Sequence, residues 1–287
     1  HGAPNPQWSP DGTKILFTSS IPMEELEGTP AWNYERPGRS FGDTPDFSDT
    51  TKSIDASPDG DLEGIRAWLA KNASRENPKV INRLDFQGER GLDNEVRFQH
   101  LFVTEARQNA EAEQLTEGYQ SFQSPDWSPD GSRIICSSFA YNKMPDRIVQ
   151  SELWEVMADG TGSQQLLAMP EMRLFGPAFS PDGEMISFSA ASLNDITYAQ
   201  TELGTCQADG SEAKILTNDF DRRLSDIRWG NDSRTLYFTA SNEGYTPLYS
   251  LDTQRGRTKL ILGEQLGIYD YDVSEDKIVY AATQVSN

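Results

Sequence analysis

Trp127-Ser128-Pro129-Asp130-Gly131, followed at once by Ser132-Arg133-Ile134-Ile135-Cys136, is the stretch from which the fold is read. Proline sets φ at the first corner of a tight turn. Aspartate suits the second corner and bonds back to the backbone, and glycine takes the left-handed residue that follows. An aromatic before such a turn and an apolar run after it make a hairpin of two buried strands. The pattern recurs. Trp8-Ser9-Pro10-Asp11-Gly12 leads into Thr13-Lys14-Ile15-Leu16-Phe17, and Phe179-Ser180-Pro181-Asp182-Gly183 leads into Glu184-Met185-Ile186-Ser187-Phe188. A decayed copy, Trp229-Gly230-Asn231-Asp232-Ser233, precedes Arg234-Thr235-Leu236-Tyr237-Phe238, and a shorter one, Val273-Ser274-Glu275-Asp276, precedes Lys277-Ile278-Val279-Tyr280. Each copy is a structural signal and carries no catalytic chemistry.

A second landmark follows each turn. Glu152-Leu153-Trp154-Glu155-Val156-Met157-Ala158-Asp159-Gly160 aligns with Glu202-Leu203-Gly204-Thr205-Cys206-Gln207-Ala208-Asp209-Gly210, and Leu101-Phe102-Val103 and Leu248-Tyr249-Ser250 hold the same place in their repeats. A short closing strand comes next, as in Gln114-Leu115-Thr116, Gln165-Leu166-Leu167, Ile215-Leu216-Thr217 and Leu260-Ile261-Leu262. Three strands and the one entering the next turn make a four-stranded propeller blade. The anchors Trp127, Phe179, Trp229 and Val273 fall 52, 50 and 44 residues apart, a period that fits blades. The expected fold is all-β, a propeller with about five legible blades. They cover residues 6–119, 120–170, 171–219, 220–263 and, in part, 264–287, and the aromatic anchors should be largely inaccessible.

The first gap, 119 residues from Trp8 to Trp127, holds one blade with a large insertion, over roughly residues 21–79, or two blades of which one is poorly legible. Residues 28–60 are rich in Gly, Pro, Ser, Asp and Thr without a period and read as loop. A single short helix near 61–73 follows, with Leu62, Ile65, Trp68 and Leu69 on one face and Asn77-Pro78 beyond it. Ser57-Pro58-Asp59-Gly60 copies the blade turn but precedes a helical pattern, so it reads as the helix start, with Pro58 in the first turn. Val80-Ile81-Asn82-Arg83-Leu84-Asp85-Phe86 returns the chain to strand.

Charge excludes one class of partner. The formal net charge of −20 repels phosphate backbones, which sets nucleic acid aside. No run of 18 apolar residues occurs, so no helical membrane span is read. His1-Gly2-Ala3-Pro4 has neither the basic nor the apolar region of a targeting signal, which leaves cytoplasm and export both open. The two cysteines, Cys136 and Cys206, form no framework and read as separate buried thiols.

The segment Val80-Ile81-Asn82-Arg83-Leu84, with Gly88-Glu89-Arg90-Gly91-Leu92-Asp93 and His100-Leu101-Phe102-Val103, resembles the middle blade of acylaminoacyl-peptidase-like and dipeptidyl-peptidase-like enzymes of the prolyl oligopeptidase clan. The resemblance runs from about Pro6 to the end. It implies a propeller, usually seven-bladed, that sits over an α/β-hydrolase domain and restricts entry to peptide-sized substrates. The catalytic Ser, Asp and His would lie in that hydrolase, beyond Asn287. The resemblance thus implies a non-catalytic gating domain whose partners are peptide substrates.

Candidate chemistry within the chain is sparse. Gly38-Arg39-Ser40-Phe41-Gly42 matches the G-x-S-x-G elbow in letters, but that elbow needs a strand before it and a helix after it, and Ser40 has neither. His100 reads as a partly buried strand residue. Two histidines and two distant cysteines supply no zinc set, no D-x-D-x-D-G calcium loop occurs, and no cofactor motif is present. No catalytic residue is therefore assigned. Glu24-Glu25, in the loop after the first hairpin, are the one candidate binding pair. Dipeptidyl peptidases of the clan hold a substrate's amino terminus with a propeller glutamate pair, a task that needs two anions converging on one ammonium. The alternative reading is a free-standing propeller like the Tol-system protein, whose blades bind other proteins. A metal-dependent sugar-acid lyase would need a histidine-rich centre that the sequence lacks.

Overall fold

In the computed structural model the described residues are 2–26, 55–73, 87–88, 91–92, 96–140, 150–194, 200–274 and 277–283. The chain divides into two compact units, one of residues 1–21, 98–140 and 148–287, the other of residues 22–97 and 141–147.

The first unit is a series of antiparallel sheets. β1 (Gln7–Trp8) and β2 (Lys14–Pro22) begin the first sheet. Helix α1 (Leu62–Ala73) and strands β3 (Gln87–Gly88) and β4 (Gly91–Leu92) follow in the chain, and β5 (Arg97–Glu105) and β6 (Ala112–Gln114) complete the sheet in the order β1-β2-β5-β6. The second sheet holds β7 (Gln120–Trp127), β8 (Arg133–Ala140), β9 (Ser151–Met157) and β10 (Ser163–Leu167). The third holds β11 (Met172–Phe179), β12 (Met185–Ser192), β13 (Thr201–Gln207) and β14 (Lys214–Ile215). In the fourth are β15 (Leu224–Trp229), β16 (Thr235–Ala240), β17 (Leu248–Asp252) and β18 (Arg257–Leu262), and β19 (Gly267–Val273) pairs with β20 (Ile278–Thr283) in a fifth. In every case strands pair in meander order. Four-stranded meanders stacked in series are the blades of a β-propeller.

The core lies between blades, and one rule governs it. Trp127 of β7 packs back on Leu16, Leu101 and Val103 of the first blade. Phe179 of β11 packs on Ile135 and Leu153 of the second, and Trp229 of β15 packs beside Leu203 of the third. Tyr271 of β19 is buried with Leu248 of the fourth. The anchors Trp127 and Phe179 are thus buried, and Trp229 and Val273 partly buried, against the blade before each. Trp8 departs from the expectation that all anchors are inaccessible, because it is 63% exposed. It belongs to the first blade, and among the described residues no earlier blade covers it.

Cross-strand pairs show how unlike sequences fill the same place. Cys136 of β8 faces Trp154 of β9, whereas the corresponding pair in the third blade is Phe188 of β12 and Gly204 of β13. Small-and-large becomes large-and-small. A Cβ on Gly204 would stand 2.5 Å from the Phe188 ring, so glycine is what admits that ring. In the fourth blade the pair is Phe238 and Tyr249, stacked with centroids 5.8 Å apart.

In the second unit, the backbone N–H of Gly64 donates to Asp61 Oδ1 at 2.8 Å, so Asp61 caps α1. This corrects the helix start read from the sequence. Ser57-Pro58-Asp59-Gly60 forms a separate turn, with the Gly60 N–H donating to Ser57 O, and the helix opens at Leu62. Ile65 and Trp68 are partly buried, but Leu62 is 64% exposed and does not join their face. At position one of the helix it precedes the turn that packs. The expected strand over residues 80–86 and the Gly38–Gly42 motif with Ser40 lie outside the described residues, as does the side chain of Leu69.

Candidate functional site

The signature turns cluster at one end of the blades. In the second blade the Ser128 N–H donates to Arg133 O at 2.8 Å, and Ser128 Oγ donates to Asp130 Oδ1 at 2.6 Å while accepting the Arg133 N–H at 2.9 Å. Ser9 and Ser180 repeat these contacts in their blades. All three serines are buried, so this hydroxyl satisfies groups that water does not reach. The serine hydrogen bond, then those from Ser132, hold Asp130 at about 2, and Ser9 and Thr13 do the same for Asp11. The second turn of each blade joins the same end, through Ala158 N–H to Ser132 O and Ala208 N–H to Glu184 O. Its aspartates, Asp159 and Asp209, cap Thr161 and Ser211. These carboxylates are committed to turn geometry. Among the described residues no three of His, Cys, Asp and Glu converge on a metal position.

The inner strands carry a feature that the sequence reading missed. Asn5, Ser124, Gly176 and Asp226 all adopt positive φ, between 49° and 58°, three residues before the anchor aromatic. The register of the inner strand shifts there in three blades, between Gln123 and Asp126, Phe175 and Ala178, and Ser225 and Arg228. Such a bulge bends the strand and re-aims the residue that follows. The re-aimed residues bridge blades. Gln7 Nε2 donates to Pro125 O at 2.8 Å, and the Phe179 N–H donates to Asp126 Oδ2 at 2.8 Å. Trp229 Nε1 donates to Ala178 O at 3.1 Å, and Arg228 donates to Asp270 Oδ1 at 2.9 Å and to Tyr271 O. Arg228 also lies 4.7 Å from the centroid of the Tyr271 ring. The signal was in the sequence, as Asn5-Pro6-Gln7-Trp8, Ser124-Pro125-Asp126-Trp127 and Gly176-Pro177-Ala178-Phe179. Proline directly after a left-handed position is not part of the tight-turn vocabulary, so it read as ordinary strand. Burial pushes Asp126 up to about 6, against the two backbone N–H groups that favour its charge.

Among the described residues, the histidine and both cysteines are buried. His100 is fully enclosed on β5, with Nδ1 3.2 Å from Thr116 Oγ1 and no hydrogen-bond partner at Nε2. Desolvation lowers it to about 4, so it is neutral at ordinary pH. Cys136 and Cys206 are both buried and unbonded to each other, and burial pushes Cys206 up to about 12, with Asp209 adding to the effect. Neither is a nucleophile.

Glu24 and Glu25 follow β2 in a 3-10 turn, Met23–Glu25. The Met23 N–H donates to Val96 O at 2.9 Å, which ties the two ends of the insertion together at its neck, and the Leu26 N–H closes the turn on Met23 O. Glu25 is exposed, and the side chain of Glu24 lies outside the described residues.

No protein-family profile matches the chain. Over 96 residues it is 33% identical to the Tol-Pal system protein TolB of Anaeromyxobacter dehalogenans, a stretch that is 33% of this chain and 19% of that protein. Over 151 residues it is 24% identical to dipeptidyl-peptidase 5 of Porphyromonas gingivalis, covering 52% of this chain and 22% of the other. The chain therefore spans about a fifth of the length of these relatives. Among solved structures, the Pyrococcus horikoshii acylaminoacyl peptidase superposes with a TM-score of 0.56 at 13% identity, over 98% of this chain and 35% of that one. A structure assigned as TolB from Agrobacterium tumefaciens gives 0.53 at 15%, over 97% and 69%. At these identities the structural likeness establishes the propeller fold and nothing finer. No helix among the described residues is long and apolar enough to cross a membrane.

Proposed function

We propose that this chain is a non-catalytic propeller that gates and orients peptide substrates for a serine peptidase, the hydrolase domain lying outside it. The observation that carries the reading is the neck of the insertion. In the chain a helix-bearing segment is inserted between the neighbouring strands β2 and β5 of the first blade, and the turn tied by the Met23–Val96 hydrogen bond carries Glu24-Glu25 at its start. Two adjacent carboxylates on a tethered turn suit an ammonium group, since the tether limits the freedom lost on binding. The likeness to a dipeptidyl peptidase over half the chain supports the same reading.

Calorimetric titration with a short apolar peptide, free-amine or N-acetylated, tests it. The free-amine form should bind several-fold tighter, and Glu24→Gln with Glu25→Gln should erase the difference. Equal binding of the two forms, or none, would overturn the reading. The chain should also take no fluorophosphonate label, and a label lost in Ser40→Ala would overturn its non-catalytic character.

A second reading rests on the 33% identity to TolB, the higher of the two sequence identities. In it the blades serve as a protein-docking module, and the chain binds no short peptide in either form.

A further inference from the structure

The second turn of the first blade differs from its counterparts. Between the cross-strand partners Val103 and Glu113 it holds one residue more than lies between Glu155 and Gln164 or between Thr205 and Lys214. Asn109 takes a positive φ of 58° within it, and Thr104 Oγ1 donates to Glu111 O at 3.0 Å. The longer turn walls a groove of about 390 Å³ whose lining includes Lys14, Val103, Glu105, Arg107, Glu111 and Glu113. The second blade shows what this groove lacks. There Arg133, placed after its turn as Lys14 is after its own, donates to Glu155 Oε1 at 2.6 Å, and Glu155 Oε2 accepts from Gln164 at 2.9 Å. In the first blade Val103 stands in the place of Glu155, and Glu113 in that of Gln164. The central carboxylate is gone, and half-buried Lys14 forms no ion pair among the described residues. Two carboxylates that feel its charge are engaged elsewhere. Glu105 pairs with Arg107, and Asp159 accepts the Thr161 N–H at 3.0 Å. Glu111 and Glu113 are likewise without an ion pair among the described residues.

We propose that this groove binds a free basic α-amino acid, whose carboxylate takes the place that Glu155 fills in the second blade. The unpaired lining groups are one ammonium and two carboxylates. A basic amino acid brings the complement, one carboxylate and two cationic nitrogens, and each contact is a charge-assisted hydrogen bond. A simple anion would face Glu111 and Glu113, and a simple cation would face Lys14. The volume suits a small ligand. Lys14 on β2 and Glu113 on β6 have β5 between them, so their strands lie about 10 Å apart. Extended lysine holds its carboxylate about 7 Å from its ε-nitrogen, a length on the same scale. None of these groups belongs to the Glu24-Glu25 turn, and an apolar peptide, with one cationic nitrogen, does not complete the set.

A ligand-observed NMR titration with L-lysine, norleucine and cadaverine is the test. Norleucine lacks the ε-ammonium and cadaverine lacks the carboxylate. Each should bind about tenfold more weakly than lysine, the loss expected for one charged hydrogen bond. Lys14→Met should bring lysine down to the level of cadaverine, whereas Lys14→Arg, which keeps the charge, should retain the difference. Glu111→Gln with Glu113→Gln should bring lysine down to the level of norleucine. Thermal midpoints close to the parent's would separate lost binding from lost folding. The variant with Glu24→Gln and Glu25→Gln should bind lysine as the parent does, which keeps this site distinct from that pair. Equal binding of the three ligands would overturn the proposal, as would lysine binding unchanged in Lys14→Met or lost in the Glu24 and Glu25 variant. No binding of lysine at about 10 mM would also overturn it.

Discussion

Asp126 shows how a single side chain contributes to the pH dependence of stability. Its folded value of about 6 lies above the ordinary 3.8, so the folded state holds that proton more tightly than the unfolded state does. Its contribution to stability is then greatest below about pH 4 and is lost as pH rises through 6. Two units correspond to roughly 3 kcal/mol at most, reduced by the partial exposure of the group. His100 has the opposite sign. Its folded value of about 4 lies below 6.5, so its contribution is present above 6.5 and is lost as pH falls through 4. The two slopes offset one another between pH 4 and 6.5, and the parent should show little change there. Asp126→Asn keeps an acceptor for the Phe179 N–H and removes the titration. Its thermal midpoint should exceed the parent's at pH 7.5, match it at pH 4, and fall with acid between them as the His100 slope is uncovered. A lower midpoint than the parent at pH 7.5 would show that the carboxylate charge is favourable where it sits.

Within a blade, the strand pair β12–β13 is the clearest case of mutual fit. Gly204→Ala drives a methyl into the Phe188 ring and should destabilise by about 1–3 kcal/mol, the usual range for an overfilled core. Phe188→Leu alone should also destabilise, but the double variant should lose less than the sum of the two, a coupling that denaturant unfolding measures. Additive losses would mean that the two positions do not share one space. This pair also marks what was readable beforehand. The all-β class and the short helix were legible because turn residues and apolar runs act locally, through φ preference and alternation. The exchange of Cys136–Trp154 for Phe188–Gly204 was not, since it depends on which side chains meet across a ladder. The inner bulges were hidden for a related reason. A positive φ at Asn5 or Ser124 has no single-residue signature, and its bond falls in the next blade. The exposure of Trp8 was unreadable because an anchor's burial depends on the preceding blade, and the local motif is the same in Trp8 and Trp127. Of the candidate pair, the residue type and the loop were legible, whereas the tether through Val96 was not.

For the whole molecule, the net charge of −20 works against compactness. Sodium chloride at about 0.5 M shortens the screening length to roughly 4 Å and should raise the thermal midpoint near pH 7.5. A fall would mean that attractive pairs such as Arg133–Glu155, at 2.6 Å, outweigh the repulsion. The turn prolines have a longer reach. Pro10 lies over Gly131 of the next blade and Pro129 over Gly183 of the one after, each within van der Waals distance of where a Cβ would stand. The same contact is thus written into successive units, and its two halves are interchangeable. Excising Asp126–Pro177, one 52-residue period, joins Pro125 to Ala178 and sets Pro10 over Gly183 in place of Gly131. The shortened chain should fold with an unchanged β spectrum and a denaturant m-value reduced in proportion to its length. A junction that survives the loss or gain of a period leaves the number of repeats free to drift by duplication, while every seam between neighbours stays chemically the same.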